Sequence, residues 1–504
     1  MTRTCKLLFI PVFLLQAGFF WFVSQHRLID ADEGYYLLAA RLVLQHKTPY
    51  LDFFFPQAPL LPYVYAVWLK LAEISWFSAR VFSALLTAIL GGLMYSLVCR
   101  ETGKWAAGLA AAVLFASSSL VFAWFPIVKT FALATLCLFL AYVILTRLPA
   151  SSPGWLPAMA GLFFGLSVDT RSYVVGIAPV FLWWIWRGNS RRAAHLLWFL
   201  GGFAVGIGPS LALFFASPDA YLFDNLGYHA MRSGAGLIGD WHNKAKIVWL
   251  LFTGSHTGFQ FSILSASCAA GLILLRRTRT AASLLAFLIA FLLGTISLLP
   301  TPGSLQYFCM IVPFLIVAAV CLGSDYLISL QSRLALRLAG AACVLLLAGF
   351  VGFAFLNFQE YLFTGREVPG IFGAAPNWTL EQVTAVSLAI DQLASPGEKV
   401  ASFWPGYIFV SWADPYPGFE NDFGGNVSGR FTAEKRQKYH VVYDPEINAA
   451  FARHGPRFAV VGNQGTFVGG PENSACITML HAYGYRLARI VGQTSIYECC
   501  EKSR

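Results

Sequence analysis

The chain has 504 residues, of which 57% are hydrophobic and only 12% charged, with a formal net charge of +10. Soluble domains average about 25% charged residues, so lipid must replace water around much of this surface, which excludes an ordinary soluble enzyme. The positive excess lies in short segments between apolar runs. A nucleic-acid-binding protein would gather it on one exposed face, so no nucleic-acid partner is expected.

Apolar runs long enough to cross a hydrocarbon core of about 30 Å recur along the chain. Spans are expected near 7–23, 78–99, 105–123, 130–146, 155–168, 172–186, 194–215, 258–275, 281–299, 304–323 and 338–357. The first leads into Gln25-His26-Arg27 without a small-residue cleavage pattern, so it reads as a retained helix. With the N-terminus inside, the inner segments hold basic residues such as Arg3, Lys6, Arg100, Arg187, Arg191, Arg192, Arg276, Arg277 and Arg279, against only Glu101 and Asp325 as acids. That asymmetry predicts a cytoplasmic N-terminus and, after an odd number of spans, a C-terminal domain outside.

Between the first two spans lies a long external loop, residues 24–77. Its stretch Phe53 to Ala72 is apolar enough to count as a further span, but Pro56, Pro59 and Pro62 interrupt it. It is therefore expected at the interface, with Tyr63, Tyr65 and Trp68 at headgroup depth. The same loop opens with Asp30, Asp32 and Glu33, directly after the first span. Leu37 to Leu44 then reads as a mostly apolar helix lying in the membrane surface. A fixed carboxylate there can accept a proton from an attacking hydroxyl. The same acids also suit a plain helix cap beginning near Glu33.

Two charged groups stand at the expected outer ends of later spans: Lys129, and Arg171 beside Asp169. Span-edge charges are costly and mark substrate paths; a structural Arg171–Asp169 pair is the alternative. His229, His242 and His256 match no zinc spacing.

Residues 358–504 are slightly acidic and alternate helix and strand patterns, the mark of a small α/β domain. Thr379-Leu-Glu-Gln382 has the form of a capping box for a helix to about Leu393. Strands are expected at 399–404, 458–462, 485–491 and 495–498, a helix near 474–482, and a long loop from Asp414 to Lys438. Cys476, Cys499 and Cys500 lie in this domain, where an oxidising compartment permits a bridge whose pairing spacing does not decide.

The fold class read here is thus a polytopic α-helical membrane protein of about eleven transmembrane helices over residues 1–357, with a small C-terminal α/β domain over 358–504. A transporter and a non-catalytic envelope scaffold share such an architecture; the two matching halves expected of many transporters are not visible.

The residues Asp32-Glu33-Gly-Tyr35-Tyr, then Thr48-Pro-Tyr-Leu-Asp-Phe, then Gln57-Ala-Pro-Leu-Leu-Pro-Tyr resemble the first periplasmic loop of bacterial GT-C glycosyltransferases. These are the polyprenyl-phosphate-sugar enzymes related to protein O-mannosyltransferases and aminoarabinose transferases. The resemblance is densest over residues 30–80 and extends in architecture to the many-span body and the outer domain. It implies a protein of the inner (plasma) membrane with its C-terminal domain periplasmic or extracellular. It further implies a polyprenyl-phosphate-linked sugar donor and a lipid, glycan or protein acceptor, with inversion at the sugar. Asp32 would be the catalytic base and Glu33 its neighbour, with Asp30, Tyr35, Gln57, Lys129, Asp169, Arg171, Gln306 and Tyr307 around the substrates. Where some relatives carry a His, Gln57 stands here. Where relatives often place another acid, Lys129 stands, so a divalent metal is possible but not supported; no cofactor is expected.

Overall fold

The computed structural model describes residues 2–148, 153–188, 192–232, 236–255, 257–274, 280–300, 303–363, 378–462 and 471–499. The expected positions of Arg191, His256, Arg276, Arg277, Arg279 and Cys500 lie outside the described residues.

Each expected span falls on helix. The first helices are α1 (Arg3–His26), α2 (Ala31–Leu44), α3 (Leu60–Leu71), α4 (Trp76–Thr102), α5 (Trp105–Ala116), α6 (Ser119–Trp124), α7 (Thr130–Leu145) and α8 (Trp155–Thr170). Among the described residues four helices are long and apolar enough to cross a membrane singly: α1, α4, Leu305–Ser329 and Arg333–Leu356. Others are broken. The expected span 105–123 is split into α5 and α6. Gln260 plugs the break, accepting from Ser119 N at 2.8 Å and donating to the Ser117 carbonyl at 2.8 Å. The span over 194–215 bends by 59° between Arg192–Gly206 and Gly208–Ala216. A helix without a counterpart among the expected spans, Gly236–Thr253, precedes Gly258–Leu274.

The proline-rich stretch forms only a short helix, and Tyr65, expected at headgroup depth, is instead buried with its hydroxyl 2.6 Å from Ser83 Oγ. Only 12 residues of it form helix α3, about 18 Å at 1.5 Å per residue and too short to cross.

The C-terminal domain is a five-stranded sheet of order β2-β1-β3-β5-β4. Its strands are β1 (Lys399–Ser402), β2 (Asp414–Pro415), β3 (Phe458–Gly462), β4 (Tyr485–Val491) and β5 (Thr494–Cys499). β1 runs parallel to β2 and β3; β5 is antiparallel to both β3 and β4. Alternate residues of β1 and β3 enter two different cores. Val400, Phe458 and Val460 face the core shared with the helical body, and Ala401, Ala459 and Val461 face Phe451 and Leu480 on the far side. Helix Leu380–Asp391 opens as its capping residues predict, with Thr379 Oγ1 accepting from Gln382 N at 3.1 Å. The expected loop from Asp414 to Lys438 instead contains β2 and the short helices Gly425–Ser428 and Ala433–Lys438. A two-residue strand carries no periodicity to be read. Neither Cys476 nor Cys499 is in a disulfide; the sulfur of Cys499 lies 2.8 Å from His454 Nδ1.

One expectation fails informatively. α2 does not lie bare on a membrane surface: Leu37, Leu38 and Ala40 are fully buried. The C-terminal domain covers it. Arg41, near its end, donates to the carbonyls of Ile408, Ser411 and Ala413 at 2.5, 2.7 and 2.8 Å. Near its start, Trp404 Nε1 donates to the Ala31 carbonyl at 2.9 Å. A Cβ on Gly34 would stand 2.7 Å from the Trp404 ring and 2.8 Å from Gly406 Cα, so this contact requires glycine. The apolar composition of Leu37 to Leu44 is matched by protein on both sides.

Candidate active site

The site is built at the first turn of α2. Asp30 caps the helix, its Oδ1 accepting from Asp32 N at 3.1 Å, and Glu33 returns to Asp30 N at 2.8 Å. This is a reciprocal capping box, so the cap expected from the sequence is present. The cap leaves the three acids with different surroundings.

Glu33 points inward and is fully buried. Arg80 of α4 meets it with two nitrogens, Nε to Oε2 at 3.0 Å and Nη2 to Oε1 at 2.6 Å, and Val128 N donates to Oε2 at 3.0 Å. With Asp30 N, four donors occupy the two oxygens. Arg80 also donates to the Ser24 carbonyl at 2.7 Å, the Leu28 carbonyl at 3.2 Å and the Arg27 carbonyl. The bidentate pair thus ties the end of α1 to the guanidinium, and the start of α2 and the chain before α7 to its carboxylate partner.

Asp30 and Asp32 face the other way and share Lys129. Its Nζ lies 2.6 Å from Asp30 Oδ1, 2.7 Å from Asp32 Oδ2 and 3.2 Å from Gln306 Oε1. It also stands over the Trp124 ring at 4.9 Å. Burial alone would strip the proton from this amine; Asp30 and Asp32 reverse that and hold it above its ordinary range. The Asp32 side chain is 28% exposed. Among the described residues its second oxygen, Oδ1, accepts no hydrogen bond.

A second cation stands next to the first. Arg171, at the end of α8, donates from Nη1 to Thr130 Oγ1 at 2.5 Å. Its guanidinium lies 4.4 Å from the centroid of Phe131, 4.8 Å from Tyr173 and 5.0 Å from Tyr307. Its Nε has no hydrogen-bond partner. The neighbours Lys129-Thr130 and Gln306-Tyr307 each send one residue to the acid cluster and the next to the arginine cage. The two clusters are therefore contiguous.

The alternative reading, a structural Arg171–Asp169 pair, is not formed. Asp169 Oδ1 accepts from Ser210 N at 3.1 Å and its Oδ2 has no partner. Asp169 lies in the last turn of α8, whereas Arg171 follows it in extended backbone (φ −151°), so closeness in sequence did not bring these two charges together. Tyr35 lies one turn along α2 from Asp32 and donates to Asp422 Oδ1 of the C-terminal domain at 2.5 Å, its ring 4.2 Å from Phe423. Burial pushes the Asp422 carboxyl up, and the Tyr35 hydroxyl partly offsets it. Gln57 accepts from the Tyr50 hydroxyl through its backbone at 2.6 Å; no hydrogen bond joins its side chain to the acid cluster among the described residues.

The sequence reading missed Arg80, Arg27, Trp124 and Asp422. Arg80 had a readable signal, a lone charge inside the apolar run of α4. Arg27 is buried and stands 5.3 Å from the centroid of the Trp124 ring that Lys129 also meets, with Nε and Nη2 unpartnered. Among the described residues no three His, Cys, Asp or Glu side chains converge on one point. Lys129 itself takes the place between the two aspartates.

Residues 56–214 match the family described as dolichyl-phosphate-mannose-protein mannosyltransferase. The structure of ArnT from Cupriavidus metallidurans bound to undecaprenyl phosphate is similar over 100% of this chain and 99% of that one, with a TM-score of 0.65 at 14% identity. The apo oligosaccharyltransferase of Archaeoglobus fulgidus is similar over 91% of this chain and 70% of that one, with a TM-score of 0.54 at 15% identity. No curated protein matches by sequence. The fold is that of the GT-C glycosyltransferases, in a multi-pass membrane protein with a small C-terminal sheet domain.

Proposed function

We propose, from the GT-C fold as premise, that this chain is an integral-membrane glycosyltransferase. It moves a sugar from a polyprenyl-phosphate donor to an acceptor hydroxyl with inversion, and Asp32 is the general base. The acceptor's O–H proton passes to Asp32 as its oxygen attacks the anomeric carbon. The bond from that carbon to the phosphate oxygen breaks, and polyprenyl phosphate leaves with the electron pair.

The observation that carries this reading is the state of Asp32. One oxygen is anchored by Lys129 at 2.7 Å, and the other is open on a side chain 28% exposed. A base needs such an oxygen within hydrogen-bond reach of the attacking hydroxyl. Charge growing on the leaving phosphate needs cations already in place. Arg171 supplies one, its guanidinium set among the rings of Phe131, Tyr173 and Tyr307 and paired with no carboxylate among the described residues. A single displacement places base and leaving group on opposite sides of the anomeric carbon. Arg171, which does not touch Asp32, is the group suited to the phosphate. Glu33, with every lone pair engaged, positions the turn and touches no substrate.

The donor assignment is tested by binding. Undecaprenyl phosphate should bind the purified parental chain, and Arg171→Gln should weaken it about 10- to 100-fold, the worth of a hydrogen bond to a charged group. Equal binding by the two proteins removes Arg171 from the donor site. The inside-positive charge pattern supports a cytoplasmic N-terminus and an outer C-terminal domain in the plasma membrane. A reporter active only outside the cytoplasm, fused after Arg504, should be on; activity of a cytoplasm-only reporter there reverses the orientation.

A further inference from the structure

Helix Gly236–Thr253 has one face that the protein leaves bare. Ile247 and Leu251, one turn apart, are buried, and a Cβ on Gly303 would come within 2.8 Å of Ile247 Cδ1. This inner face packs on the turn Leu305–Ile311, which carries Gln306 and Tyr307 into the site. At about 100° per residue, Trp241, Val248, Trp249 and Phe252 fall together on the opposite arc. Their exposures are 64, 36, 67 and 43%. Lys244 and Lys246 fall on either side of that arc, and Asp240 on the inward side.

The orientation of the helix follows from its neighbour. Gly258–Leu274 packs along Val312–Ser329, part of a helix long enough to cross the membrane. An 84° bend separates Gly239–Thr253 from Gly258–Leu274. A helix almost perpendicular to a spanning pair lies in the membrane plane. Four large apolar side chains on one arc would be costly in water. Tryptophans flanked by lysines are the composition of the headgroup layer, where rings sit at the interface and ammonium groups reach up to phosphates. Lys244 is stacked over Trp241 at 5.8 Å, which aims its charge along that border.

We propose that helix Gly236–Thr253 lies flat in the headgroup layer beside the site and holds anionic phospholipid headgroups through Lys244 and Lys246. It thereby forms a docking strip for anionic lipid next to Gln306, Tyr307 and the Arg171 cage. The inference rests on the multi-pass membrane fold and not on sugar transfer, so a chain that transfers nothing still passes or fails its test.

The full chain is reconstituted in phosphatidylcholine vesicles, with and without phosphatidylglycerol. The double variant Trp241→Phe/Trp249→Phe should lose tryptophan emission that phosphatidylcholine brominated near the acyl carbonyl quenches, while the amount of emission quenched by aqueous acrylamide stays constant. A fall in the acrylamide-quenched amount shows that the arc faces water, and loss of emission quenched by neither agent shows that protein covers it; both outcomes overturn the proposal. Lys244→Gln/Lys246→Gln should lower the phosphatidylglycerol retained by the purified protein about fivefold for each lysine removed. Unchanged retention by a normally folded variant overturns the headgroup assignment.

Discussion

The two sides of the first turn of α2 share one short sequence and differ in everything that decides chemistry. On the inner side, Glu33 is fully buried and has four donors for its two oxygens. On the outer side, Asp32 is partly exposed and has one oxygen held and one open. Burial with complete satisfaction suits a strut; a carboxylate anchored at one oxygen and accessible at the other has what a proposed base needs. Two acids adjacent in sequence are therefore placed in opposite surroundings. Side-chain direction on a helix turns by about 100° from one residue to the next, and here that rotation separates a fully buried carboxylate from a partly exposed one.

Breaking the inner side should give the largest stability effect. Arg80→Met leaves Glu33 buried without its counter-charge and should cost about 3–5 kcal/mol. It should show as a lower melting temperature and less protein in the membrane. Adding Glu33→Gln to Arg80→Met should recover much of that loss, because no charge then remains unpaired. If Arg80→Met melts like the parent, the strut assignment fails.

A smaller effect, conditional on pH, comes from the contact between the short helix Tyr228–Met231 and the first loop. His229 Nε2 lies 2.9 Å from the Pro56 carbonyl. Burial, with Arg232 nearby, lowers its pKa from 6.5 to about 4. The sign follows from linkage: between these values the unfolded chain binds a proton that the folded chain refuses. Stability is therefore full above pH 6.5 and declines as the pH falls towards 4. Melting temperature measured across that window should slope for the parent and flatten for His229→Asn; equal slopes contradict the assignment.

Much of this arrangement was legible in the sequence because it follows from local rules. Span length and apolarity located the helices, three prolines kept α3 short, and the acids at 30–33 announced a cap. Lys129 and Arg171 were legible as costly charged groups at span edges, and Gln306 and Tyr307 only through the family resemblance. What was not legible depends on long-range packing. Arg80 reaches Glu33 across 47 positions, and Arg41 reaches the C-terminal domain across more than 360. The cover over α2 is likewise invisible, since an apolar helix facing lipid and one facing protein have the same composition. Between the two readings open for Arg171, nearness in sequence allowed a pair with Asp169, but the end of α8 directs the two side chains to Thr130 and Ser210 instead.

The rate of sugar transfer per folded molecule in Asp32→Asn tests the central claim most directly. The change keeps the shape of the side chain and removes the proton acceptor. Transfer should fall by about 10²–10⁴, the usual worth of a general base, with the melting temperature unchanged because Asp32 is partly exposed. Transfer at the parental rate by the Asn variant would contradict the account.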